Sequence, residues 1–135
     1  MVCISTIEHI GMDNSLYTPD SRRQENSPLS YLDAVRELKR ILKKGGTLYL
    51  TVPYGRYQDH RWFQIFDEAM VERLKKEFAP AQISQIYFKY EDKQWNYSNR
   101  LSCQKSCFFD IHAEARIRDD RLAAAESVVC LEMIK

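Results

Sequence analysis

The sequence predicts an α/β fold. We expect a partial doubly wound sheet, with parallel strands joined by crossover helices and an antiparallel pair of strands at the C-terminus. Three observations predict it. Short β-rich runs flank a strongly amphipathic segment, a Gly-Gly link joins that segment directly to the second run, and two more β-rich runs follow. The 135 residues fit a single domain, 1–135.

The first predicted strand starts at Val2 and runs to Ile7 as a short, β-branched, apolar stretch. A continuous apolar run of this kind is typical of a strand covered on both faces, as in a parallel sheet. Residues 11–26 are polar and rich in turn formers, which predicts a loop. Loops this long in small domains are often functional or mobile.

The helix that follows has the strongest signals in the chain. Ser27 is a good N-cap and Pro28 suits the first helical position. Gly45 provides a stop after a basic last turn. The helix carries one apolar stripe, formed by Leu29, Leu32, Val35, Leu38, Ile41 and Leu42.

The second predicted strand, 47–52, ends at Pro53 because proline cannot continue a central strand. Strand, helix and strand in this order predict a right-handed βαβ unit with parallel strands. A second helix begins after Asp67 and stops before Pro80. The β-rich runs 82–90 and 126–134 form the antiparallel pair.

Two stretches give weaker predictions. Residues 91–109 show no clear element. Residues 112–125 favour a helix by propensity, but their mixed Arg and Asp run fits a solvated loop equally well.

Composition excludes several classes of function. Twenty basic and 19 acidic residues give a net charge of +1, which offers no reason to expect a nucleic-acid or membrane-surface partner. The four cysteines are sparse, and we find neither a signal peptide nor a membrane-spanning run. We therefore expect a cytoplasmic protein.

Several motifs together resemble the C-terminal half of the class I S-adenosylmethionine-dependent methyltransferases. They lie in VCISTIEHIG, YLDAVRELKRILKKGGTLYLTVPYG and YGRYQDHRWFQIFDEAMVERLKKEF. In that family the fourth strand ends in Glu-His-(Ile/Val), and a helix then leads through Arg-x-Leu-Lys-x-Gly-Gly into a fifth strand that ends near a proline. The matching positions are Glu8–Ile10, Arg40–Gly46 and Val52-Pro53, and the resemblance covers residues 1–78 well.

The resemblance implies a Rossmann-like fold and a relation to enzymes that move a methyl group from S-adenosylmethionine to a small or sugar-like acceptor. It also implies that the chain starts at the family's fourth strand, as a truncated domain. The Gly-rich turn that cradles the cofactor is absent, because none of the four glycines lies in a Gly-x-Gly between a strand and a helix. We therefore expect this chain alone to be inactive and to bind the cofactor weakly or not at all.

Candidate site residues lie after the first predicted strand. The resemblance implies that Thr6 and Ile7 contact the cofactor in the full-length family. Glu8 and His9 fall at the carboxyl end of a parallel strand, where open α/β sheets bind ligands. His9 could act as general base for an acceptor hydroxyl. A structural turn, or a role lining the pocket, explains the same residues.

A second group of candidates follows the second predicted strand. The resemblance assigns contacts with the acceptor to this loop, and Tyr54, Tyr57, His60 and Arg61 are the substrate-binding candidates. Aromatic and polar groups together suit a polar small molecule such as a sugar. The alternative is a surface loop held to the core by its aromatic residues.

We expect no metal site. Cys103 and Cys107, with His112 nearby, have a spacing found in zinc sites, but no fourth ligand is evident. Cys3 and Cys130 fall in predicted strands and suit buried apolar positions.

The missing strands of the resemblance would leave the first strand as an exposed apolar edge, open to association. We therefore expect a homo-oligomer, or a partner chain that pairs with this strand. A fragment of a longer reading frame is the third explanation of the missing strands. The alternative comes from a different class of function: a non-catalytic interaction module that pairs through its exposed sheet edge.

Overall fold

A computed structural model describes residues 1–18, 20, 22, 24–109 and 124–135. The fold is α/β, as predicted. The described residues form three α-helices, α1 Tyr31–Ile41, α2 Glu68–Phe78 and α3 Arg100–Cys103. They also form seven strands, which are β1 Val2–Ile4, β2 Thr47–Pro53, β3 Gln58–Asp59, β4 Gln64–Ile65, β5 Gln82–Glu91, β6 Gln94–Ser98 and β7 Ser127–Ile134.

Five of the strands form one mixed sheet in the order β1-β2-β7-β5-β6. β1 and β2 are parallel, and every other neighbouring pair is antiparallel. β1, β2 and β5 therefore run in one direction, and β7 runs in the opposite direction between β2 and β5. The predicted parallel pair and the predicted C-terminal antiparallel pair are both confirmed. β3 and β4 form a separate small hairpin.

Helices α1 and α2 pack side by side on one face of the sheet. Arg36 of α1 and Glu77 of α2 form an ion pair at 2.6 Å. The apolar side chains of both helices meet alternate residues of β2 and β7 in a single core, which includes Tyr31, Val35, Val71, Leu74, Phe78, Leu48, Leu50, Leu131 and Met133. The alternation places the remaining residues of these strands on the opposite face.

Local chemistry sets the start of α2 but not the start of α1. Asp67 caps α2 by accepting a hydrogen bond from the Met70 amide at 2.9 Å, as predicted. The prediction that Ser27 caps α1 is wrong. The Ser27 amide instead donates to the Gly11 carbonyl, its own carbonyl accepts from the Ser30 amide, and α1 begins only after Ser30.

The predicted first strand is too long. β1 ends at Ile4 because Ser5 takes a left-handed φ of 47°, and a 3-10 turn then occupies Ile7–His9. Nor is this strand covered on both faces. In the sheet formed by the described strands β1 lies at the edge, and Val2 and Ile4 are 63% and 61% exposed.

The prediction missed β6. Asp92 and Lys93 both have positive φ, at 53° and 62°, and form the tight turn between β5 and β6. Such turns usually carry Gly or Asn, so this pair gave no hairpin signal. Most of the predicted helix or loop at 112–125 lies outside the described residues. Within the described part of the chain, no helix has the length and apolar character needed to span a membrane.

Candidate functional site

The candidate site lies at the carboxyl ends of the two parallel strands, β1 and β2. The 3-10 turn Ile7–His9 follows β1, and the loop bearing the β3-β4 hairpin follows β2. Ligand sites in open α/β sheets form at this edge, because side chains from neighbouring strands converge there. The two loops are joined directly, since the Asp13 amide donates to the Arg61 carbonyl at 2.8 Å.

Glu8 is the buried acid of this edge, with only 1% of its surface exposed. Its Oε1 accepts a hydrogen bond from the Ser5 hydroxyl at 2.6 Å. Its Oε2 has no hydrogen-bond partner among the residues that the structure describes. Burial raises the pKa of the Glu8 carboxyl because it penalises the charged form, and the Ser5 hydrogen bond opposes that shift only in part.

His9 is held by a backbone carbonyl and a set of aromatic rings. Its Nδ1 lies 3.0 Å from the Trp62 carbonyl oxygen. A carbonyl oxygen only accepts, so in the neutral ring Nδ1 carries the proton and Nε2 has the free lone pair. The rings of Trp62, Phe63 and Tyr17 lie 5.3, 5.9 and 6.1 Å away. This tautomer is the one that a general base at Nε2 requires.

The loop after β2 is shaped by a local turn. Asp59 Oδ1 accepts from the Arg61 amide at 2.7 Å. Arg61 has a φ of 70°, a left-handed conformation that is uncommon for a residue with a side chain. This turn sets the position of the Trp62 carbonyl that His9 contacts.

A polar cleft of about 410 Å³ opens between the two loops. Three carboxylates, one guanidinium and two side-chain amides line it, from Asp13, Glu25, Asp59, Arg61, Gln24 and Asn26. Hydrogen bonds from the Ser15 side chain and amide hold the pKa of Asp13 below its ordinary value. Many acceptors around a single cation suit a ligand rich in hydroxyl or amine donors.

The structure brings together some of the predicted substrate residues and separates others. Arg61 lines the polar cleft. Tyr57 lines a different, more apolar cleft of about 220 Å³ between Pro28, Asp67 and Arg73. His60 stacks on Phe63 with ring centroids 4.6 Å apart.

Tyr54 is buried, and its hydroxyl donates to Glu68 Oε2 at 2.7 Å. That places the Tyr54 hydroxyl against α2, in a contact internal to the fold. Burial and the Glu68 carboxylate together raise the pKa of Tyr54.

The two predicted cofactor residues also make contacts within the fold. The Thr6 hydroxyl donates to the Ile4 carbonyl at 2.8 Å. Ile7 is 1% exposed and belongs to the hydrophobic core.

Sequence reasoning missed the contribution of the long loop. Asp13, Gln24, Glu25 and Asn26 all line the polar cleft. They belong to no motif, and the unusual length of the 11–26 segment was the only available signal. Their convergence depends on the contact between the Ser27 amide and the Gly11 carbonyl, 2.8 Å long, which closes the loop on itself.

The described residues contain no group of three or more His, Cys, Asp or Glu side chains arranged to hold a metal ion. Cys103 is buried in the core, and Cys107 lies 3.5 Å from the Arg56 guanidinium. His112 lies outside the described residues.

Comparisons with protein-family models, curated proteins and solved structures give no match for this chain.

Proposed function

We propose that this chain forms the acceptor-binding half of a Rossmann-like, class I methyltransferase fold, related to enzymes that transfer a methyl group from S-adenosylmethionine to a small or sugar-like acceptor. The strand arrangement carries the proposal. Two parallel strands are followed by a third strand in the same direction, with the reversed C-terminal strand β7 inserted between β2 and β5. The sequence predicts an antiparallel pair of strands at the C-terminus, and β5 and β7 form such a pair.

The polar cleft supports an acceptor rich in hydroxyl groups. Asp13 and Asp59 offer acceptors for hydroxyl donors, and Arg61 offers a donor. His9 is at the same sheet edge, with Nδ1 held by the Trp62 carbonyl. Its Nε2 would accept the proton of an acceptor hydroxyl.

The residues present do not fit the cofactor. Thr6 and Ile7 make contacts within the fold. The sequence has no Gly-x-Gly turn through which backbone could approach the ligand closely. We therefore expect no tight binding of the cofactor by this chain alone.

Calorimetric titration with S-adenosylmethionine tests the cofactor part of the proposal. We expect no saturable heat, and tight one-to-one binding would refute that expectation.

The acceptor part needs a separate measurement. Amide chemical shifts would be followed while a panel of small sugars and polyols is added. We expect saturable shifts around Gly11–Asp13 and Arg61, weakened in Arg61→Ala and unchanged in Arg22→Ala, whose side chain is 88% exposed. Absence of shifts with every compound would contradict the acceptor site.

One observation favours a second candidate, a non-catalytic module that pairs through its sheet edge. Among the described strands, β1 has β2 as its one neighbour. The Met1 carbonyl and the Ser5 amide face β2, so the intervening Val2 and Ile4 direct their backbone groups outward. An added strand would bond to them.

Ile4→Pro tests this second candidate because it removes an outward donor and leaves the bonds to β2 intact. For the unchanged protein we expect light scattering to show a complex of defined stoichiometry. In Ile4→Pro that complex should be absent. A complex that survives the substitution would exclude the edge.

A further inference from the structure

The sheet has one face that no described helix covers. The strand register places the same side of four strands on it, with Ile4 level with Thr51, Cys130 and Ile86. We call this surface the open face. Its exposed apolar residues are Val2, Ile4, Tyr49, Ile86, Trp95 and Tyr97. A continuous apolar surface of this kind on a small domain marks an interaction site.

The open face contains a shallow groove of about 240 Å³. Its walls come from β1, β2, β7 and β5, and Ile4, Tyr49, Ile86 and Cys130 are among the residues that line it. The groove lies near the middle of the sheet, over β7.

The same face carries a projection at its far edge. Tyr97 of β6 is 80% exposed, and Trp95 on the same strand is 44% exposed. Tyr97 is supported by Phe88 at a ring distance of 4.7 Å, and Trp95 by Tyr90 at 5.4 Å. An aromatic projection and an apolar groove therefore share one surface, about two strand spacings (roughly 10 Å) apart.

The charge of the face restricts its partner. Among the described strand residues, the open face has a single ionisable carboxylate, that of Glu132, and its Oε1 accepts from the Tyr49 hydroxyl at 3.2 Å. On these described strands, a highly charged partner would find the Glu132 carboxylate as its one counter-charge. A second copy offers the same neutral, apolar chemistry, and the net charge of +1 produces little repulsion between copies.

We propose that two copies of this chain pack their open faces together about a twofold axis, so that Tyr97 of each copy enters the groove of the other. A twofold contact makes every such insertion reciprocal, and a surface that carries both a projection and a groove is self-complementary under it. Sheets packed face to face lie about 10 Å apart, a gap that aromatic side chains fill. This inference rests on the open face and not on the proposed function.

Paired substitutions on one strand test the inference by sedimentation over a concentration series. Ile86 and Ile83 are both 42% exposed on β5, but Ile86 is on the open face and Ile83 is on the helical face. We expect a dimer for the unchanged protein. Ile86→Lys should raise the dimer dissociation constant about tenfold or more, because an unpaired charge would be buried. Ile83→Lys is the matched control and should leave it unchanged.

Chemical cross-linking adds a readout that does not depend on the fold tolerating a lysine. In Tyr97→Cys, a bismaleimide with a spacer of about 10 Å should link the introduced thiol to Cys130 of the second copy, because the two packed sheets would lie about that far apart. Leu101→Cys, 65% exposed on α3, should give no such link. A monomer at every concentration, or a dimer weakened equally by both lysine variants, would overturn the inference. So would a dimer lost in Ile4→Pro but unaffected by Ile86→Lys.

Discussion

The Nδ1 atom of His9 lies 3.0 Å from the carbonyl oxygen of Trp62, 53 residues further along the chain. This contact joins the turn after β1 to the loop after β2. Because the carbonyl accepts the Nδ1 proton, the loop fixes which ring nitrogen of His9 is basic. The conformation of residues 59–62 therefore controls the chemistry available at the sheet edge.

In Asp59→Ala, the loop should no longer fix which ring nitrogen of His9 carries the proton. The Arg61 amide would lose its hydrogen bond to Asp59 Oδ1, and the left-handed Arg61 would lose a local support. We expect a stability loss of about 1 kcal/mol and a mixed population of His9 tautomers. Nitrogen chemical shifts of the imidazole measure the tautomer directly. Asp59→Asn keeps the accepting oxygen and serves as control. A single unchanged tautomer in Asp59→Ala would show that the turn does not position Trp62.

Glu8→Gln should remove a pH dependence of stability. Burial raises the pKa of Glu8 above its ordinary value of about 4.5, so folding favours the protonated acid. The stability associated with that preference is complete below the ordinary pKa and is lost as pH rises through the raised value. Glutamine does not ionise. The melting temperature of Glu8→Gln relative to the unchanged protein should therefore rise from pH 4 to pH 8.

Glu37→Gln should show the opposite pH dependence of stability and serves as the comparison. Arg40 holds the pKa of Glu37 below its ordinary value, so the charged form favours folding. The relative melting temperature of Glu37→Gln should fall slightly over the same increase in pH. If the melting temperature of Glu8→Gln relative to the unchanged protein does not vary with pH, burial does not penalise the charged form of the Glu8 carboxyl.

The elements with local signals were predictable from the sequence. β2 ends at Pro53, one residue past the predicted 47–52, and α2 begins where predicted because Asp67 caps it through the nearby Met70 amide. The parallel arrangement of β1 and β2 followed from the short link between α1 and β2. These are the features in which local propensity and tertiary structure agree.

The site was less predictable because it depends on distant contacts. Glu8 and His9 were identified, but the Trp62 carbonyl that orients His9 has no sequence signal, since any residue supplies a carbonyl. Tyr54 was expected to face the acceptor, and the sequence could not show that Glu68 binds its hydroxyl. The Ser27 cap was wrong for a similar reason: its amide is bound by Gly11, 16 residues away.

Tyr54→Phe should be destabilising because the Tyr54–Glu68 hydrogen bond is partly buried and involves a carboxylate. We expect a loss of about 1–3 kcal/mol in the free energy of unfolding, measured by urea denaturation. Tyr57→Phe is the matched control, since Tyr57 is 45% exposed and should change stability by less than about 0.5 kcal/mol. Equal effects of the two substitutions would contradict the assigned role of the Tyr54 hydroxyl.

Asp67→Ala should weaken the start of α2. The Met70 amide would lose the carboxylate that caps it at 2.9 Å. We expect a loss of about 1 kcal/mol in urea denaturation, and Asp67→Asn, which keeps an accepting oxygen, should retain most of the stability. If both variants lose the same stability, the negative charge of Asp67 matters more than its hydrogen bond to the Met70 amide.

Two glycines with similar backbone conformations should respond differently to alanine. Gly11 and Gly45 have φ values of 79° and 72°. A Cβ at Gly11 would lie 2.0 Å from the Ser27 carbonyl oxygen, whereas one at Gly45 meets nothing within 4 Å. Gly45→Ala should therefore lose only about 1–2 kcal/mol of stability, which is the cost of placing alanine in a left-handed backbone conformation. Gly11→Ala should lose about 3 kcal/mol or more, because Ser27 must also move.

The displacement of Ser27 in Gly11→Ala should also change the shape of the polar cleft, because Gly11 and Asn26 both line it. In Gly11→Ala we expect amide shifts at Asp13 and Arg61 in addition to the lower stability. Gly45→Ala should leave those shifts unchanged, since Gly45 is at the opposite end of α1, where its amide donates to the Lys135 carbonyl. Similar stability losses in the two variants, with the cleft undisturbed in both, would show that the long loop adapts to Ser27 without the close approach at Gly11.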